Sequence, residues 1–329
     1  MVKGILYILL LILCAFGAVF GLYKKNSEYE KPYTAESFSM EESLEGLSTS
    51  PLPGFASHYA VVGEDEEINA TRFKNNTYAV IMVNNDTGKC IVAHNVHRRI
   101  YPASMTKLMT GMVVCDAIEA GEISLDDEVS LTHKITFRDT DAVQSFLDPG
   151  DRISVRNLLY ALMLSSYNDY TIILAEAISG SVEAFADRMN EKAKSIGATN
   201  THFVNPHGLD ELDHYTTAYD MYLIVNAASK YETLRDVDTY RKYSYTYTDS
   251  SGNVYEDTAE PTNRYLIGMA TLPSNIEIGT WKTGTTTGAG HCLTMEAKIN
   301  GTSYTMMVAD SISHDDLYDC YSVLFNMAD

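Results

Sequence analysis

The chain is poor in the residues that build metal and disulfide frameworks. Its 329 residues hold five cysteines, Cys14, Cys90, Cys115, Cys292 and Cys320, with no C-x-x-C pair among them. That scatter argues against a zinc site and against a dense disulfide framework. The four beyond the N-terminal segment stand in mostly apolar surroundings and read as buried free thiols, with a single disulfide left open. The nine histidines include no H-E-x-x-H or similar ligand spacing. Nothing calls for a metal or a cofactor. Positive charge is also scarce, 24 Lys and Arg against 44 Asp and Glu, for a net charge of −20. This excess of acid argues against a nucleic-acid partner and against binding of anionic membranes through the folded part. There is no internal repeat.

What is present suits one large domain or two small ones, with ample material for a core. Gly4 to Tyr23 is an uncharged, largely apolar run, with Lys3 before it and Lys24-Lys25 after it. About 20 such residues span a bilayer, and the run is longer than most signal-peptide cores. It reads as an uncleaved N-terminal membrane anchor over residues 1–25, with a removed signal segment as the alternative. Residues 26–75 are acidic and rich in Ser, Thr and Pro, as in Glu64-Asp65-Glu66-Glu67. They cannot bury enough apolar surface to fold alone and read as a flexible tether. A loop layer on the domain is the alternative for Phe55 to Val62. The folded domain is expected over residues 76–329.

Within that domain Tyr78 to Val83 and Cys90 to Ala93 read as a hairpin around the turn residues Asn84 to Lys89. Pro102 then opens a loop that runs into a helix ending near Gly121. Ser154 can cap a helix through Leu158, Leu162 and Met163. Further helices are expected over Tyr170 to Ile178, Val182 to Ile196 and Thr216 to Ala228. Tyr243 to Tyr247 begins a hairpin. Ile276 to Lys282 leads into a glycine-rich turn, strands follow at Cys292 to Ile299 and Tyr304 to Asp310, and a helix closes the chain. Strands at both ends around a helical middle predict an α+β unit, an antiparallel sheet flanked by helices with a mostly helical inserted subdomain.

Three short motifs carry the chemistry. In Ser104-x-x-Lys107 the two side chains share a helical face one turn apart. Serine needs an adjacent base to act as a nucleophile, and a lysine whose pKa is lowered can be that base. Ser166-x-Asn168 stands between two helices. Lys282-Thr283-Gly284 stands at a strand end. Each alone is weak: an N-cap serine, a turn asparagine and a strand end explain them as well. In this order and in these contexts they reinforce one another.

The flanking segments sharpen the match. Asp86-Thr87-Gly88-Lys89, Pro102-Ala103-Ser104-Met105-Thr106-Lys107-Leu108-Met109-Thr110, Asn168-Asp169, His202-Phe203-x-Asn205-Pro206-His207-Gly208-Leu209, His214-Tyr215-Thr216-Thr217-Ala218-x-Asp220-Met221 and Trp281-Lys282-Thr283-Gly284-Thr285 resemble the low-molecular-mass penicillin-binding proteins, the D-alanyl-D-alanine carboxypeptidases of bacterial cell walls. The resemblance runs from about residue 77 almost to the C-terminus. It implies a β-lactamase/transpeptidase-like fold and a site on the extracytoplasmic face of the membrane. It also implies peptidoglycan stem peptides ending in D-Ala-D-Ala as substrate, and β-lactam antibiotics as covalent inhibitors. By the same resemblance Ser104 is the nucleophile, Lys107 its base and Ser166 a proton relay. Asn168, Lys282, Thr283, Gly284 and Thr285 bind substrate, with the Ser104 and Thr285 amides as the oxyanion hole. His207, His214 and His291 read as structural.

Two departures stand out. Tyr167 and Tyr170 occupy positions where the family usually carries small residues, and three placements of a bulky Tyr167 are open: narrowing the cleft, stacking on substrate or pointing outward. A serine β-lactamase of the same fold is one rival, and Glu260 superficially supplies its glutamate, but it lies too near Lys282. A non-catalytic β-lactam or peptidoglycan sensor is another. A transpeptidase differs only in the acceptor, an amine in place of water.

Overall fold

Runs of β-branched and apolar residues between Asn, Asp and Gly turns build the main sheet. The computed structural model describes residues 59–63, 66–73 and 78–328, all within one compact unit. The anchor over residues 1–25 and most of the tether lie outside the described residues. In chain order the strands are β1 (Ala79–Asn84), β2 (Lys89–His94), β3 (Glu128–Ser130), β4 (Arg152–Ser154), β5 (Tyr243–Thr248), β6 (Val254–Ala259), β7 (Ile276–Thr286), β8 (Gly290–Ile299) and β9 (Thr302–Ser311). The helices are α1 (Thr106–Glu119), α2 (Val155–Ser165), α3 (Asn168–Ser179), α4 (Val182–Ser195), α5 (Ala218–Ala228), α6 (Glu232–Asp238) and α7 (His314–Phe325).

A five-stranded antiparallel sheet in the order β2-β1-β9-β8-β7 carries helices α5 and α7. Every residue of β1 is buried, so both faces of the sheet are covered there. The helical layer is built round α1, whose residues Thr106 to Cys115 are all buried. A helix buried on all sides is apolar on all sides, as its Met and Val content requires. Side-chain caps start four of the helices. Ser154, Ser181, Thr217 and Ser313 each accept a backbone N–H of the first turn, worth about 1 kcal/mol apiece. The α+β architecture expected from the sequence is the one found.

Four details differ from the sequence reading. The tether is not free over its last part: Ala60, Val62 and Phe73 are buried, Ile68 bridges Ala93 on β2, and Tyr219 and Tyr222 bond the backbone of Ala60. A few apolar residues among the acids suffice to dock this stretch, which the average composition conceals. The inserted subdomain also holds a four-stranded sheet, β3-β4-β5-β6, because the tyrosine hairpin pairs with short strands far away in sequence. Helix α6, too short for a clear period, was not expected. The turn after Lys282 comes later than expected, since β7 continues through Thr286.

Cys90, Cys115, Cys292 and Cys320 are free thiols, three of them buried and Cys90 half-buried.

Candidate active site

The site begins with a strained turn. Ala103, Ser104 and Met105 form one turn of 3-10 helix running straight into α1, so Ser104 precedes the α-helix proper. Ala103 has φ 47°, a left-handed conformation that costs an alanine roughly 1 kcal/mol or more. Two glycines hold it. Gly208 has φ +91°, and a Cβ there would sit 1.9 Å from the Ala103 carbonyl oxygen. A Cβ on Gly284 would sit 2.9 Å from that of Ala103 and 3.2 Å from the Ser104 nitrogen. The nucleophile turn is thus clamped between a loop and strand β7 at backbone contact distance.

The loop is fixed in turn. Asn205 Oδ1 accepts from the Gly208 amide at 2.7 Å, and its Nδ2 donates to the Leu209 carbonyl at 3.0 Å. His214 Nδ1 accepts from the Val204 amide at 3.1 Å, which leaves Nε2 to donate to Thr106 Oγ1 at 2.9 Å. Burial drives His214 down to about 3, so it is a neutral strut. His207, likewise held at about 3 by burial, offers its backbone to the site. Both histidines are structural, as expected.

The three motifs meet here. Lys107 is fully buried, and its Nζ lies 2.9 Å from Ser104 Oγ, 2.6 Å from Asn168 Oδ1 and 2.9 Å from the His207 carbonyl oxygen. Burial lowers its pKa well below that of an ordinary lysine, the positive charge of Lys282 adds to this, and Asp169 opposes it. A neutral amine has two N–H donors and one lone pair. The amide and peptide oxygens only accept, so in the neutral form that burial favours they would take the two donors and leave the lone pair to Ser104 Oγ.

Opposite stands β7. Lys282, also fully buried, donates to Ser166 Oγ at 3.1 Å. Burial pulls it to about 7, against the attraction of Asp238. Ser166 ends α2 with φ 66°, a left-handed turn that lets α3 begin at Asn168. Gly284 is the close-approach position described above. Thr283 Oγ1 lies 2.5 Å from Thr262 Oγ1, and the exposed Thr285 has Oγ1 3.3 Å from His291 Nδ1. The structure thus joins Ser104, Lys107 and Asn168, brings Ser166 to Lys282 and sets Gly284 against the Ser104 turn, with Thr283 and Thr285 on the same strand.

The Tyr167 ring packs on Tyr170 at 5.0 Å between centroids. The Tyr170 hydroxyl lies 3.0 Å from that of Tyr245, which ties α3 to the second sheet. Glu260 is exposed and bonds Ser165 through its backbone, so it is not a base in the cleft. Sequence reasoning missed the His207 carbonyl, the left-handed Ala103 and the role of Gly208. The only visible signal was the run Asn205-Pro206-His207-Gly208.

Comparison with known proteins agrees with this geometry. The sequence model of the D-alanyl-D-alanine carboxypeptidase family, peptidase family S11, matches residues 66–312. The chain is 36% identical over 221 residues to D-alanyl-D-alanine carboxypeptidase DacF of Bacillus subtilis, covering 67% of this chain and 54% of that one. It is 34% identical over 223 residues to DacC of Escherichia coli, covering 67% and 52%. The chain thus spans about half the length of these curated relatives. Among solved structures, the Streptomyces K15 DD-transpeptidase superimposes with a TM-score of 0.67 at 27% identity, covering 76% of this chain and 95% of that one. The chain belongs to the D-alanyl-D-alanine carboxypeptidase family of serine peptidases.

Proposed function

We propose that the chain is a serine-type D-alanyl-D-alanine carboxypeptidase that removes the terminal D-alanine from peptidoglycan stem pentapeptides through an acyl-enzyme on Ser104. The observation that carries this reading is the fully buried Lys107 amine, 2.9 Å from Ser104 Oγ and held by Asn168 Oδ1 and the His207 carbonyl oxygen. That is the arrangement a general base needs before proton transfer.

In the first step Ser104 Oγ attacks the carbonyl carbon between the two D-alanines while its proton passes to Lys107. The oxyanion that forms is met by the amides of Ser104 and Thr285, with Gly284 allowing the strand close enough. The C–N bond then breaks, and the departing amine takes the proton that Lys107 holds, relayed by Ser166, which the Lys282 ammonium polarises. Lys282, Thr283 and Thr285 hold the terminal carboxylate, and Asn168 fixes Lys107 and the peptide backbone. Water attacks the ester, and Lys107, neutral again, takes its proton and passes it to the departing Ser104 Oγ. β-Lactams acylate the same serine and leave slowly.

The apolar run Gly4 to Tyr23 supports an N-terminal anchor that holds the domain on the extracytoplasmic face of the membrane. Among the described residues no helix is long and apolar enough to cross a membrane.

The test is release of D-alanine from a stem pentapeptide, with fluorescent-penicillin labelling of wild type and Ser104→Ala alongside. Release that depends on Ser104 supports the reading. Labelling without release favours a sensor, and rapid turnover of a chromogenic cephalosporin favours a β-lactamase. A second reading, transpeptidation, is favoured by the near-complete overlap with the K15 DD-transpeptidase. Adding an acceptor amine separates the two, since a transpeptidase converts it to a new peptide at the expense of hydrolysis.

A further inference from the structure

His291 is half-buried on β8, directly across the strand pair from Thr285 on β7. Cross-strand partners on one face of a sheet are within reach of each other, and here His291 Nδ1 lies 3.3 Å from Thr285 Oγ1. The register of β8 with β9 shifts between His291 and Leu293, an irregularity of the kind that re-aims a side chain. From the sequence this histidine reads as structural, and the mechanism above makes no use of it. Yet it touches a residue that the mechanism sets on the substrate's terminal carboxylate.

The imidazole is braced from a second side. Its ring centroid lies 4.1 Å from that of His314, the first residue of α7, with the planes at 49°. Arg264 stands near both rings: burial and then the charge of Arg264 lower His291, while burial, His291 and Arg264 lower His314 against Asp315. Arg264 itself pairs with Asp315 at 3.0 Å. Two positions before Arg264, Thr262 Oγ1 lies 2.5 Å from Thr283 Oγ1. The two β7 threonines given to the carboxylate are thus each met by a side chain from outside the strand, Thr283 by Thr262 and Thr285 by His291.

What the His291 contact does depends on which atom donates. A threonine hydroxyl has one proton, and a carboxylate only accepts. If Thr285 gave its proton to His291, only its lone pairs would face the anion. A His291 protonated on Nδ1 donates to Thr285 Oγ1 instead and leaves the hydroxyl proton for the ligand. We propose that His291 is a positioning residue for the substrate's carboxylate: its Nδ1–H, with the ring braced on His314, turns the Thr285 hydroxyl into a donor toward the anion. The inference rests on the role given to Thr285 above.

The test compares His291→Phe, which keeps a ring against His314 but has no nitrogen, with His291→Asn, whose amide N–H stands in for Nδ1–H. D-Alanine release from a stem pentapeptide is followed for both, alone and combined with Thr285→Val. Acylation by a fluorescent penicillin, which carries a carboxylate of its own, is followed in parallel. His291→Phe should raise KM for the pentapeptide about fivefold to about tenfold, the value of one hydrogen bond, with kcat within about twofold of wild type. His291→Asn should bring KM back to within about twofold of wild type. In the Thr285→Val background His291→Phe should change KM by less than about twofold, since the hydroxyl it turns is gone. His291→Ala serves where the larger ring unfolds the protein, with the same split expected. An unchanged KM, a loss confined to kcat, an His291→Asn no better than His291→Phe, or an equal loss with and without the Thr285 hydroxyl overturns the proposal. The penicillin assay needs no stem peptide. Acylation slowed about fivefold in His291→Phe at low penicillin concentration, with no D-alanine release by wild type, refutes the carboxypeptidase reading and leaves His291 standing. Release by wild type with KM unchanged in His291→Phe does the reverse.

Discussion

Lys107 and Lys282 are both wholly buried on facing walls of one cleft, yet they are set up for opposite work. Burial and then the charge of Lys282 lower Lys107, and Asp169, which opposes them, is bonded by the Ser145 amide and hydroxyl. Lys282 has Asp238 behind it and settles at about 7. Burial lowers both lysines, the charge of Lys282 lowers Lys107 further, and one carboxyl group opposes the shift at each.

The largest effect expected from breaking this contrast is at Lys107. Lys107→Ala should lower the rate of acylation by fluorescent penicillin on the order of 10⁴-fold, the upper range for a general base. A loss below about tenfold would mean that another group takes the Ser104 proton. Next is the clamp on the nucleophile turn. Gly208→Ala drives a methyl group into the Ala103 carbonyl oxygen. A shift of about 1 Å in the turn should cost acylation about 10²-fold and lower the melting temperature. Normal kinetics in this variant would show that the turn is not held where it appears.

The pH dependence comes third. Burial holds Lys107 well below its ordinary value, so acylation should fall as the pH drops and it gains a proton. Lys282 should lose its proton as pH rises through about 7, and the rate should then fall about tenfold per pH unit. A rate that keeps rising through about pH 9 would deny Lys282 its cationic role. The smallest effect is expected at Tyr167. Its ring lies on Tyr170, so Tyr167→Ala should change acylation by less than about threefold and cost about 1 kcal/mol of stability, measured by denaturant unfolding. A tenfold gain in rate would show that the ring obstructs the cleft after all.

The three motifs were legible in the sequence because each is local: a helical turn, a helix break and a strand end, with residue types whose chemistry has few other uses together. Their meeting depends on contacts between residues far apart. The Lys107 to Asn168 bond spans 61 positions and the Lys282 to Ser166 bond 116, and no local pattern encodes such pairings. The left-handed Ala103 is invisible for a related reason: alanine alone would not adopt that shape, and Gly208 and Gly284, far along the chain, impose it. The docking of residues 59–63 and 66–73 was hidden because a few apolar side chains decide it and the acids around them set the average.

The two rims of the main sheet are treated differently. At β2 the rim is partly capped by Ile68, which blunts the tendency of a bare rim to recruit another chain. At β7 the rim has strand pairing on its β8 side alone, with Ser104 beside it at Gly284. A peptide laid there in extended form gains main-chain bonds along the strand and brings its end to the serine in the same movement. A coiled or helical segment of the same sequence presents no row of amides to match and is turned away. A rim of this kind would select the shape of a ligand before any side chain is read.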